Sequence, residues 1–181
     1  GKDQYLNAFS AIMGARPAYD GSKLNWTQKD PKGAFKELDD PKGIGKGNYL
    51  VVAAHPLQPN GLLFRPGHYI TDLAGGHIHA AELRRDKTLR EDLDDNAKLR
   101  HAFEEGRVAL YHSSDAIKLA DPGTTPADRA LGYRFALLKL ASPTLEALRQ
   151  AFLGRDSRLR IPYVRDAAGQ IILDPNLPVP V

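Results

Sequence analysis

Apolar residues recur along this chain in two rhythms, and the change from one to the other marks its elements. Between Gln4 and Met13, the residues Leu6, Phe9, Ile12 and Met13 return at the spacing of one helical face, and Gly14 is the stop. From Ala15 to Gly47 the pattern dissolves into Gly, Pro, Lys and Asp around a small apolar group, Trp26, Phe35 and Leu38. That stretch reads as loop with one helical turn at Lys32 to Leu38. At Tyr49 the apolar positions become continuous, and Tyr-Leu-Val-Val-Ala-Ala leads to His55 and Pro56, as expected of a parallel strand buried on both faces.

The alternation then repeats. His79 to Arg84 is a strand candidate, followed by one long amphipathic helix from Asp86 to Glu105 with Leu89, Leu93, Leu99 and Phe103 facing inward. Arg107 to His112 is a strand leading into Ser113, Ser114 and Asp115, and Tyr133 to Leu140 is another. The last helix carries the clearest punctuation: Ser142 as cap, Pro143 at the first helical position, Glu146 in the first turn and Gly154 as stop, with Leu145, Leu148 and Phe152 buried. Gln170 to Leu173 is strand-like, and Pro178 and Pro180 make the exit extended. Strands alternating with helices predict an α/β fold.

Composition narrows the chemistry. With 181 residues the chain has the size of one ordinary domain and buries roughly 70% of the surface its unfolded form exposes. No window carries the roughly 18 consecutive apolar residues of a membrane span, and Gly-Lys-Asp-Gln-Tyr is no signal peptide, so a cytoplasmic protein without membrane contact is expected. The absence of an initiating Met and the Leu-Pro-Val-Pro-Val ending suggest a piece of a longer protein. No cysteine is present, which excludes disulfides, thiolate zinc sites and a cysteine nucleophile, and leaves His, Asp and Glu as metal ligands. A net charge of +3 points only weakly to an anionic partner.

In parallel α/β folds, loops converge at the carboxyl ends of the strands, and sites collect there. His55 ends the first strong strand and Asp115 lies just past the third, so both are expected on one rim. Imidazole and carboxylate suit Zn²⁺, Mn²⁺ or Fe²⁺. The competing structural roles are a strand-end hydrogen bond for His55 and a turn or cap for Asp115. His77 and His79 stand two apart, so on a strand they share a face and are candidate ligands of one ion. His112 is a candidate ligand or a donor behind one. His68 and His101 carry no such signal. Arg84, Arg85, Arg158 and Arg160 are candidate phosphate or nucleic-acid contacts, although charges on a helix are more often its solvated face. Gly43, Gly45 and Gly47 precede a strand instead of following one and lack the Gly-Lys-Ser/Thr ending of a phosphate loop, and no Gly-x-Ser-x-Gly elbow exists.

Taken in order, Val-Val-Ala-Ala-His55-Pro, Ala-Ala-Glu82-Leu-Arg-Arg, Leu-Tyr-His112-Ser-Ser-Asp115-Ala and the final Ser-Pro-Thr-Leu-Glu-Ala-Leu-Arg-Gln-Ala-Phe-Leu-Gly-Arg-Asp-Ser-Arg-Leu-Arg stretch resemble the PHP superfamily, the polymerase and histidinol phosphatase domains. The likeness is nearest to the PHP domains at the N-terminus of AAA or SMC-type, TrlF-like ATPases and runs from Asn48 to Ile161. It implies a partial or distorted (β/α) barrel over residues 48–165, preceded by a helix and loop-rich segment over 1–47 and followed by an extension over 166–181.

The resemblance further implies a divalent metal cofactor (Mn, Zn or Fe) activating water for phosphoester hydrolysis, with His55 and Asp115 in the site. A phosphorylated small molecule or nucleic acid would be the substrate, and an ATPase domain of the same parent protein, in DNA repair or genome defence, the partner. Ile117 stands where the family's terminal Ser-Asp-x-His motif has its second histidine, and the opening His-x-His and Asp-His motifs are missing upstream of His55. Three explanations follow: the first motifs lie on a segment outside this chain, the domain is a degenerate member kept for nucleic-acid or protein interaction, or His77 and His79 rebuild a reduced site.

Overall fold

The computed structural model describes residues 31–42, 44–59, 61, 77–119 and 129–177. The expected helix over Gln4 to Met13, Trp26, His68 and the prolines at 178 and 180 lie outside them. The chain divides into two compact units, Gly1–Leu50 and Val51–Val181.

In the first unit, α1 (Pro31–Asp39) begins at a proline, whose missing N–H is one the first helical turn cannot use. It is longer than the single turn expected. Phe35 is its buried residue. The Tyr49 hydroxyl donates to Asp39 Oδ1 at 2.6 Å, tying the following segment to the helix end. Burial first, and then this carboxylate, pushes the phenol above its ordinary range.

The second unit is mixed α/β. Its centre is a three-stranded parallel sheet in the order β1 (Val52–Ala53), β2 (Ala80–Glu82) and β3 (Ala109–Tyr111), with Val52 opposite Ala80 and Ala80 opposite Ala109. All of β2 is buried, as a central strand covered on both faces must be. Ile78, Leu83, Leu99, Ala102, Val108 and Leu110 complete the core, each at most 6% exposed. Among the described residues the strands close no barrel: β4 (Leu137–Leu138) pairs antiparallel with β5 (Leu159–Arg160), and β6 (Tyr163–Arg165) with β7 (Ile171–Leu173), as two separate ribbons. The strand expected over Tyr133 to Leu140 therefore shrinks to two residues and leaves the parallel sheet.

The helix expected over Asp86 to Glu105 is two helices, α2 (Leu89–Asp95) and α3 (Ala97–Glu104). Thr88 and Glu91 form a capping box at the start of α2. Asn96 ends α2 in extended backbone and caps α3, accepting from the Leu99 N–H at 2.9 Å, so its side chain competes with helix continuation and wins. The break resets the buried face to Asp92, Leu99 and Ala102. In the helix expected from Ser142 to Gly154, α4 (Leu145–Leu153), the cap is Thr144 and not Ser142: its Oγ1 accepts from the Ala147 N–H, and Leu145 takes the first helical position in place of Pro143. Ala151 and Phe152 are buried while Leu145 is 41% exposed, which moves the inward face by one residue. Gly154 caps the C-terminus, and the short α5 (Arg155–Arg158) runs into β5.

Candidate functional site at the carboxyl rim of the parallel sheet

Each of the three parallel strands delivers a polar residue to the rim where it ends. Past β1 the chain turns sharply: the Gln58 N–H donates to the His55 carbonyl at 3.2 Å, and His55 sits at φ 47°. Gly61 packs so closely behind this turn that a Cβ would stand 2.2 Å from the His55 carbonyl oxygen and 2.4 Å from that of Pro56. Past β3 the segment from His112 carries Asp115 at φ 43°, and Arg129 beside it lies at φ 58°. Left-handed backbone is costly for residues with a Cβ, and it clusters where function demands a particular side-chain position.

Glu82, the last residue of β2 and only 3% exposed, joins these groups. Its Oε2 accepts from the His55 backbone N–H at 2.9 Å and lies 2.9 Å from His55 Nδ1, while its Oε1 accepts from the Ser113 hydroxyl. A proton on Nδ1 directed at Glu82 makes Nε2 the lone-pair nitrogen of the neutral ring. Nε2 stands 3.7 Å from Asp115 Oδ1, longer than a hydrogen bond. The other Asp115 oxygen is 3.1 Å from an Arg129 guanidinium nitrogen. The structure thus brings His55 and Asp115 together and adds Glu82, Ser113 and Arg129.

The other candidates lie elsewhere. His77 and His79 precede β2 and so sit at the amino end of the sheet, while Glu82 marks the carboxyl end, three strand steps or about 10 Å beyond His79. His79 Nδ1 accepts from the Val51 N–H at 3.2 Å, and burial, then the Arg149 charge, lowers its pKa. His112 is 1% exposed behind the rim, edge-on to Tyr163 at 5.4 Å, with no hydrogen bond of good geometry to either ring nitrogen. Burial first, then the Arg134 charge, pulls its pKa down to about 4, against a weak opposing pull from the Lys87 backbone. Ile117 is 71% exposed and offers no ligand atom.

This arrangement falls short of a full catalytic metal site. Both Glu82 oxygens are committed to His55 and Ser113, and one Asp115 oxygen to Arg129, which leaves two donors where a catalytic zinc has three. Among the described residues no group of three or more His, Asp or Glu side chains is placed to hold an ion.

A second feature opens from the loop that carries Gln58. A cleft of about 560 Å³ is lined by Arg84, Arg85, Arg134 and Arg165 together with Gln58, Asp86 and Tyr133. Arg84 is held by Asp92 and Asp95, and Arg165 by both oxygens of Glu91. Arg134 differs. It is 8% exposed, lies over the rings of Tyr133 and Tyr163 at 4.3 and 4.7 Å, and donates to the carbonyls of Arg85 and Tyr133. No carboxylate of the described residues pairs with it. Ring contacts worth about 0.5–2 kcal/mol each fall short of the several kcal/mol that taking a guanidinium out of water costs. Arg158 and Arg160 line a different surface, Arg160 lying 3.7 Å from Asp174. Arg134 and Arg165 carried no signal in the sequence, since the partners that bring them to the cleft, Arg85 for one and Asp86 and Glu91 for the other, lie 49 to 79 residues away.

No helix among the described residues is long and apolar enough to cross a membrane. Comparison with protein-family models, curated proteins and solved structures returns no significant match to this chain.

Proposed function

We propose that the second unit is a PHP-like domain that recognises phosphoesters, nucleic acid above all, at the carboxyl rim of its parallel sheet, without a resident metal cluster. One observation carries this reading: His55, Glu82 and Asp115 are delivered by three neighbouring parallel strands to one place, where Glu82 is bound to His55 and Asp115 to Arg129. In it, Glu82 orients His55, Asp115 positions Arg129, and the phosphate is met by the guanidinium and by the imidazole once the ring carries a proton on both nitrogens. The test combines metal analysis of the purified protein, phosphatase and nuclease assays with Mn²⁺, and anisotropy of a labelled single-stranded DNA across a salt series. The reading expects no stoichiometric metal, no turnover, and binding that weakens steeply with salt and falls on His55→Ala and Arg129→Gln. A flat salt response removes it.

The 3.7 Å gap between His55 Nε2 and Asp115 Oδ1 favours a second reading, a metal-dependent phosphoesterase, because two donors at that separation can share one ion. Mn²⁺-dependent turnover abolished by His55→Ala and by Asp115→Ala establishes it over the first.

A further inference from the structure

We infer that the arginine-lined cleft beside Gln58 is a binding site for a phosphate monoester, either a free nucleotide or the 5′-phosphate of a nucleic-acid strand, with Arg134 as its central anchor. Four arginines line this cleft, and Asp86 is the one carboxylate among its described lining residues. Two of the four, Arg84 and Arg165, have their counter-charges supplied by the acidic residues of α2 and its C-terminal end, namely Asp92, Asp95 and Glu91. Arg134 has none among the described residues, although it is more than nine-tenths buried.

The polar neighbours of Arg134 are two carbonyls, each at 3.3 Å, and the Tyr163 hydroxyl, none of which carries the balancing charge. A buried cation without an anion is the arrangement proteins avoid, and a ligand oxyanion entering the cleft supplies what no described residue does. The flat fork of a guanidinium matches two phosphate oxygens at once, and a monoester brings up to two negative charges to the arginine that no described carboxylate balances. The volume, about 560 Å³, suits a ligand of nucleotide size. Gln58, Gln170 and Tyr133 line the same space and supply neutral hydrogen-bonding groups and a ring for the remainder of such a molecule.

This inference does not rest on the rim reading. His55 and Arg129 do not line the cleft, so the two ideas fail separately.

Isothermal titration calorimetry on the whole chain tests it, with adenosine 5′-monophosphate against adenosine, and 5′-phosphorylated against 5′-hydroxyl decathymidylate. The phosphorylated member of at least one pair is expected to bind at least tenfold more tightly than its dephosphorylated twin. A preference confined to the nucleotide identifies a free metabolite as the source of the phosphate, and one confined to the oligonucleotide identifies a strand end. Arg134→Gln is expected to abolish the preference, Arg160→Gln, on a different surface, to leave it unchanged, and Asp86→Asn, which removes the opposing charge, to tighten binding several-fold. If Arg134→Gln fails to fold by circular dichroism, the Asp86→Asn gain decides alone. Equal affinity for phosphorylated and unphosphorylated probes, or an Asp86→Asn protein that binds no more tightly than the parent, overturns the proposal.

Discussion

Replacing Glu82 by alanine and, separately, by glutamine resolves what this carboxylate does at the rim. Alanine removes the acceptor of the His55 backbone N–H, of His55 Nδ1 and of the Ser113 hydroxyl, at a position 3% exposed. The imidazole, 39% exposed, and the hydroxyl can turn to other partners, but the backbone N–H is fixed by the turn that closes on Gln58. An orphaned donor of this kind costs about 1–3 kcal/mol. The side-chain volume lost adds about 1 kcal/mol at roughly 24 cal/mol per Å³. A total near ~3 kcal/mol corresponds to a melting point lower by roughly 6–12 °C for a protein of this size. Glutamine keeps the shape: its carbonyl oxygen serves both His55 donors, and its amide donates to the Ser113 oxygen. Only charge assistance is then lost, about 1 kcal/mol or roughly 2–4 °C. Calorimetry gives the two melting points, and hydrogen exchange at the His55 amide, followed by NMR, gives the local effect, expected to accelerate at least tenfold in the alanine variant and little in the glutamine one. An alanine variant that melts within about 2 °C of the parent with His55 still protected refutes the idea that Glu82 holds the rim.

Three further outcomes follow from the same geometry. The His112 imidazole is disfavoured in its charged form when folded, with a pKa near 4 against 6.5 unfolded, so stability is full above pH 6.5 and falls by about 3 kcal/mol as pH drops to about 4; His112→Leu should flatten this slope in urea melts, and an unchanged slope counts against it. Glu91 is displaced downward to about 2, first by its hydrogen bond from Arg165 and then by the Thr88 N–H, so its contribution is present above pH 4.5 and disappears as pH falls toward 2. Its side chain is about a third exposed, which limits the effect to about 1 kcal/mol, and Glu91→Gln should remove that acid-sensitive component alone. Gly61→Ala forces a Cβ onto the backbone of the His55 turn and should cost at least ~2 kcal/mol in chemical denaturation, with loss of DNA binding at the rim; a neutral substitution shows that the turn does not depend on it.

Where the sequence spoke clearly, the reason is that one local rule sufficed. The continuous run ending at His55 and the Leu-Tyr-His run before Asp115 are what buried parallel strands require, and the rule that sites gather at carboxyl ends then brings the two residues to one rim. Glu82 went unassigned because Ala-Ala-Glu-Leu reads as the continuation of a core strand. A lone carboxylate there was the available signal, since a buried charge must be paired. The break at Asn96 was hidden by the apolar periodicity on either side, and the cap at Thr144 by two hydroxyl residues flanking Pro143, whose oxygens lie 3.3 Å apart. The spacing of His77 and His79 predicts a shared face on a strand, but periodicity gives no information on which end of a sheet a residue occupies. The cleft was out of reach: Arg165 meets Glu91 across 74 residues, and no pattern along the chain announces such a meeting.

His55, Asp115 and Arg129 all hold a backbone shape that glycine adopts freely and that costs other residues about 1–2 kcal/mol each. Selection for heat tolerance alone would therefore pull these three positions toward glycine and erase the rim in the course of improving the scaffold. Conversely, a library of variants ranked by melting point and by ligand affinity should show the two rankings running in opposite directions at these positions and nowhere else on the sheet.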